Sequence, residues 1–434
     1  MKIKRFVNIF NYKIVRSSAI YTVSNFAVAS VPFILLPILT RILSPEEYGV
    51  ISMFTLVVAY LTIFVGLNIH GAISVRYFDQ SNYDMKKYVS GALFIAVLMA
   101  TCMFALIKMF GAKIELFTGV PKPWLFAAAC VSLCQFVTHV MLVIWQITNN
   151  ALSYSLLRIA HALIDAVLSL IFIYFVFTSW HGRTSGILLA WILIAIAAFI
   201  FIYKKGWVVR KLDLDAVKDA LKFGVPLMPH SLGALILSLS DRILINSLID
   251  TSATGLYVVA AQIGLVLNLL ADSINKAYAP WLMEKLKHRN EFLFKRIVLF
   301  TYGYFLSIFC VALVASTLSK LLLDYIVSAE YLIIKEILIY IFLGNAFTGM
   351  YFMVTNYIFY SRRTLSLSIL TISCGLVTFV LNWILINFLG IKGAAIGFML
   401  GQMILFFGAW LLAHRSYKMP WRLNLGDLRI NEKR

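Results

Sequence analysis

Three apolar stretches of this chain enclose ionisable side chains. Around residues 153–178, Asp165 lies four residues after His161 and seven after Arg158, so all three share one face if the stretch is helical. PLMPHSLGALILSLSDRILINSL, residues 226–248, encloses Asp241 and Arg242. Between 253 and 280, Asn268, Asp272 and Lys276 recur at intervals of four, a polar stripe on one face. A carboxylate or imidazole in such a place can carry a proton or a cation. A guanidinium or ammonium there binds an anion. Each stretch also admits a structural reading. Asp165 can pair with His161 or with a neighbouring helix, Arg242 can act as a clasp, and Asp272 and Lys276 can neutralise each other.

The setting makes these residues costly. The 434 residues are 62% hydrophobic and 13% charged, against about 25% charged for a soluble domain. Apolar runs of 18 or more residues recur, each long enough to cross about 30 Å of hydrocarbon. An ion at the centre of such a segment costs about 2.5–3.5 kcal/mol on insertion scales, so it must face a hydrated cavity or a partner. Twelve helical spans are expected, at 17–42, 47–75, 87–109, 122–148, 153–178, 184–204, 223–248, 253–280, 295–319, 333–360, 364–389 and 391–414. The runs are apolar on all sides, unlike the alternation of a barrel strand. The first continues past Ala29 to Leu39, too long for a signal-peptide core, and reads as an uncleaved span.

With the N-terminus placed inside, the inner segments carry 27 of the 38 Lys and Arg and the outer segments nine. This bias puts both termini in the cytoplasm. It also accounts for the net charge of +19, carried by inner loops that touch anionic lipid; nucleic acid is not an expected partner. The longest polar break, KKGWVVRKLDLDAVKDALKFG at 204–224, divides the spans into two sets of six. The expected organisation is a bundle at 1–203, a cytoplasmic linker at 204–222 with a short amphipathic helix beginning near Asp215, a bundle at 223–414, and a basic tail at 415–434. TRILSPEEYGVISM (40–53) echoes DRILINSLIDTSATGLYVVA (241–260): Arg-Ile-Leu recurs, and Gly49 matches Gly255. Six-span halves of equal orientation imply a pseudo-twofold axis along the membrane normal and a central cavity. Arg41 and Arg242 are then repeat mates.

Several patterns point away from enzymes. The five cysteines all lie in apolar runs and suit packing. GIKGAAIGFMLG (390–401) has no preceding strand; Gly393, Gly397 and Gly401 instead make a face for close helix packing. There is no Walker A sequence, HALID (161–165) is too weak a pair for catalysis, and no outside loop exceeds about 14 residues. Pro32, Pro37, Pro226, Pro229 and Pro280 mark expected kinks.

ILLPILTRILSPEEYGVISM (34–53) resembles the first hairpin of the Wzx-type polysaccharide flippases, members of the MATE-like multidrug/oligosaccharidyl-lipid/polysaccharide exporter superfamily. KFGVPLMPHSLGALILSLSDRILIN (222–246) with ATGLYVVA (253–260) resembles their seventh and eighth spans, and LNWILINFLGIKGAAIGFMLG (381–401) their last span junction. The resemblance implies twelve helices in two six-helix bundles around a central cavity. It also implies no cofactor and export of an undecaprenyl-pyrophosphate-linked glycan across a bacterial inner membrane, driven by an H+ or Na+ gradient. Membrane lipids and other polysaccharide-assembly proteins are the expected partners. Arg41, Arg158, Arg242 and Lys276 are the residues expected to bind the anion; Asp165, Asp241, Asp272 and His161 are those expected to couple an ion. A MATE-type drug/cation antiporter, with acidic cavity walls, is the sibling reading. A membrane-embedded polymerase or acyltransferase is the reading from another class.

Overall fold

The computed structural model describes residues 2–77, 84–209, 212–287 and 291–422. Those residues form helices and connecting turns, with no strand among them. The helices are α1 (Lys2–Ile42), α2 (Pro45–Gly66), α3 (Ile69–Arg76), α4 (Met85–Thr118), α5 (Lys122–Ile147), α6 (Ala151–Phe175), α7 (Trp180–Lys204), α8 (Leu214–Gly224), α9 (Met228–Leu248), α10 (Thr251–Leu286), α11 (Glu291–Ile326), α12 (Leu338–Tyr360) and α13 (Thr364–Ser416). Ten of them are long and apolar enough to cross a membrane, and the bent pair Leu214–Gly233 and Ser238–Leu248, which contains α9, supplies another. Helix α13 is two helices broken at Gly390, whose φ of 58° and ψ of −139° only glycine adopts without strain. Twelve crossing helices result, as the apolar runs predict. Large apolar side chains on their outer faces, such as Leu116, Phe175 and Phe388, are more than four-fifths exposed, as lipid-facing residues are in a chain folded without its bilayer.

Local chemistry sets the helix ends. Ser44-Pro45-Glu46-Glu47 is a capping box: the Glu47 amide donates to Ser44 Oγ and the Ser44 amide donates to Glu47 Oε2. The repeat-related start of α10 uses Asp250 instead, whose Oδ1 accepts from the Ala253 amide at 2.6 Å. The span expected over 47–75 is not continuous. It breaks into α2 and α3 at Leu67 and Asn68, both at positive φ. The span expected from 223 starts with a short 3-10 turn, Val225–Leu227, and bends by 57° inside α9, between Gly233 and Ser238. Pro226 and Pro229, which withhold amide donors, account for the 3-10 turn that joins α8 to α9.

The chain forms two compact units, Met1–Gly255 and Leu256–Arg434. The first has two apolar cores. One holds Met53, Phe54, Leu125 and Val131. The other holds Ile69, Ile73, Tyr88, Phe136 and Val140, together with Ala216 and Ala220 of α8. The amphipathic helix expected from Asp215 is therefore real, and its small-residue face packs on protein. Arg76 clamps it by pairing with both oxygens of Asp219 at 2.8 and 2.9 Å, and Tyr88 donates to Asp219 at 3.0 Å. In the second unit Tyr331, Ile341, Met353, Tyr357 and Ala394 are fully buried. The arms of α13 pack through Gly393, Gly397 and Gly401, where an added β-carbon would collide with Leu385, Asn382 and Thr378. The tail beyond Arg422 lies outside the described residues.

Candidate functional site

Asp165 does not pair with His161. It takes both guanidinium nitrogens of Arg183, at 2.7 and 2.9 Å, and Arg183 also donates to Ser169. The pair joins α6 to α7, and both side chains are less than a fifth exposed. The expected sixth span, 184–204, leaves Arg183 in an outer loop. The helix starts at Trp180, and Arg183 lies inside its first turn. The missed signal is Ser179 as the N-cap residue, after which Trp-His-Gly-Arg-Thr (180–184) already forms the helix.

His161 instead packs on Trp191, ring centroids 3.8 Å apart, and its Nε2 is buried without a hydrogen bond. Arg158 lies against neutral groups: its guanidinium donates to Asn25 of α1 and sits 5.8 Å from the Tyr154 ring. No carboxylate partners it among the described residues.

In α9 the Arg242 amide donates to Asp241 Oδ1 at 2.8 Å, so Asp241 caps its neighbour's backbone and the two side chains do not form an ion pair. The Arg242 guanidinium has no carboxylate partner among the described residues. Arg242 and Arg183 both act electrostatically on Tyr48, which is 7% exposed. Arg41 stands exposed in the last turn of α1. In the second unit, Lys276 and Asp272 pair at 2.5 Å across one turn of α10. Beside them, Asn275 accepts from Asn356 of α12 at 2.8 Å. Other intramembrane polar residues hydrogen-bond between helices as expected: Gln135 accepts from Thr62 at 2.7 Å and Gln402 from Thr348 at 3.1 Å.

The charges therefore sort by partner. Asp165 and Asp272 are each neutralised by a base, whereas Arg158 and Arg242 are not. Among the described residues Arg158 and Arg242 have no carboxylate ion-pair partner, and a guanidinium so placed suits an anion.

Residues 14–286, well over half of the chain, match the family model described as polysaccharide biosynthesis protein. The chain belongs to that family. A curated relative from Haemophilus influenzae, Lsg locus putative protein 1, is 26% identical over 80% of this chain and 85% of its own length. The capsular polysaccharide biosynthesis protein CapF of Staphylococcus aureus is 22% identical over 71% of this chain and 76% of its own. Among solved structures, the lipid II flippase MurJ in an inward closed conformation matches with a TM-score of 0.70 at 17% identity, covering 93% of this chain and 87% of that one. An inward-facing multidrug resistance MATE family transporter of the MOP superfamily matches with a TM-score of 0.62 at 17% identity, covering 91% and 94%. The fold is thus shared with these two solved structures, and the chain is a multi-pass membrane protein of the polysaccharide biosynthesis family.

Proposed function

We propose that this protein moves an undecaprenyl-pyrophosphate-linked oligosaccharide from the cytoplasmic to the periplasmic leaflet of a bacterial inner membrane by alternating access, with both termini in the cytoplasm. The observation that supports the reading is that Arg158 and Arg242, within membrane-spanning helices, have no carboxylate ion-pair partner among the described residues. A pyrophosphate carries at least two negative charges, and guanidinium groups in a low-dielectric setting bind it through charge-assisted hydrogen bonds. Arg41 joins them as a proposed anion-binding residue, and Lys276 of the second unit, paired with Asp272, is a separate candidate. An H+ or Na+ gradient drives the cycle in this proposal, with Asp165, Asp241, Asp272 and His161 as the coupling groups. The charge balance disfavours the cation-antiporter alternative, which needs acidic walls.

The test is reconstitution into proteoliposomes loaded with lipid-linked oligosaccharide. Protein-dependent exposure of the sugar on the far leaflet is expected, and its absence rejects the proposal. Arg158→Gln and Arg242→Gln should each lower the rate at least tenfold at unchanged protein abundance. A drop in abundance instead would assign those residues to folding.

A further inference from the structure

The second unit carries a pocket of about 400 Å³ where the end of α13 meets the start of α11. Its depth is aromatic. Tyr302, Trp410 and Trp421 form a triangle with ring centroids 5.8–6.2 Å apart, and the Tyr302 hydroxyl donates to the Trp421 carbonyl at 2.6 Å. The mouth is divided. On one side stand Phe407 and Leu411, about half exposed on the face that a bilayer would cover. On the other stand His414 and Arg422, both exposed. In the wall itself Trp421 is 8% exposed, and its indole N–H is buried without an acceptor among the described residues. A buried donor left unsatisfied costs about 1–3 kcal/mol, so a ligand oxygen there is favoured.

We propose that this pocket binds one anionic phospholipid of the surrounding membrane. Its phosphate lies between Arg422 and His414 and accepts from the Trp421 N–H, while an acyl chain follows Phe407 and Leu411. The cation, the hidden donor and the apolar flank match the three parts of such a molecule in order along the membrane normal. The volume holds a glycerophosphate headgroup with its first acyl carbons and leaves no room for a sugar chain of several residues. The occupant is therefore bilayer lipid and not the transported glycan carrier, and the proposal stands apart from the export reaction.

Native mass spectrometry of the full-length protein in non-ionic detergent, titrated with phosphatidylglycerol, phosphatidylcholine or undecaprenyl phosphate, tests it. One phosphatidylglycerol should be retained at least tenfold more tightly than phosphatidylcholine. The double variant His414→Gln/Arg422→Gln should lose that preference, as should Leu411→Trp, which fills the pocket and keeps the cations. Trp421→Phe should weaken retention severalfold. Helicity and elution volume identify any variant that fails to fold, and Leu411→Trp and the double variant serve as independent checks. Equal retention of the two phospholipids, or an unchanged preference in every folded variant, overturns the proposal. So does stronger retention of undecaprenyl phosphate, which would give the pocket to the carrier lipid.

Discussion

The Asp165–Arg183 pair shows how a buried charge is decided by one partner. Removing either member leaves the other ion uncompensated in a nearly dry setting, at a cost of about 3–5 kcal/mol. Arg183→Gln and Asp165→Asn are each expected to lower the unfolding free energy in detergent by about 3 kcal/mol. The apolar double variant Asp165→Leu/Arg183→Met should recover most of it, because well-packed neutral groups often replace such pairs at little cost. A double-mutant cycle on denaturant unfolding measures this directly. If Asp165 also couples an ion, as proposed, the stable double variant will transport without responding to the gradient. Arg158 behaves differently. Its partners, Asn25 and Tyr154, are neutral, so Arg158→Gln should leave stability within about 1 kcal/mol, the range of a single polar contact, while export falls.

At the scale of elements, close approach between helices governs the architecture. A β-carbon on Gly255 in the first turn of α10 would collide with the Pro45 carbonyl and stand 2.8 Å from the Gly49 nitrogen. The two repeat-related glycines thus meet where α10 starts across α2. Gly255→Leu is expected to destabilise the first unit by more than about 2 kcal/mol, since backbone rather than a flexible side chain blocks the space; thermal unfolding monitored by tryptophan fluorescence reports it. Helix α8 responds to acid. Hydrogen bonds from the Ala216 and Asp215 amides and the nearby Lys87 ammonium hold Asp213 below its ordinary value of 3.8. A lowered carboxylate contributes stability that is complete above the ordinary value and disappears as pH falls through the folded one. Hydrogen exchange over 214–224 should therefore stay slow at neutral pH and accelerate only below about pH 4, whereas Asp213→Asn should exchange faster at neutral pH and lose that acid response.

For the molecule as a whole, the proposed topology is testable through single cysteines in a background without the five natural ones. Cysteines at Lys287 and Lys418 should be protected from an impermeant thiol reagent in intact cells, and one at Lys113 should be labelled. The reverse pattern inverts the orientation and with it the proposed direction of transport.

Span number and the break at Gly390 were readable in the linear chain. They follow from bilayer thickness, rise per residue and glycine's freedom, which are one-dimensional constraints. The glycine face of α13 and the amphipathic α8 were readable for the same reason. The partner of Asp165 was not, because a helix start misplaced by one turn moves Arg183 from loop to membrane. The split of span two at Leu67–Asn68 was hidden as well, since neither residue type demands positive φ. Periodicity along one helix tells which side chains share a face, but not which face of which neighbour they meet. Pairing is a property of helix packing, so only the folded chain matched Arg183 to Asp165 and showed Arg158 and Arg242 without an ion-pair partner among the described residues.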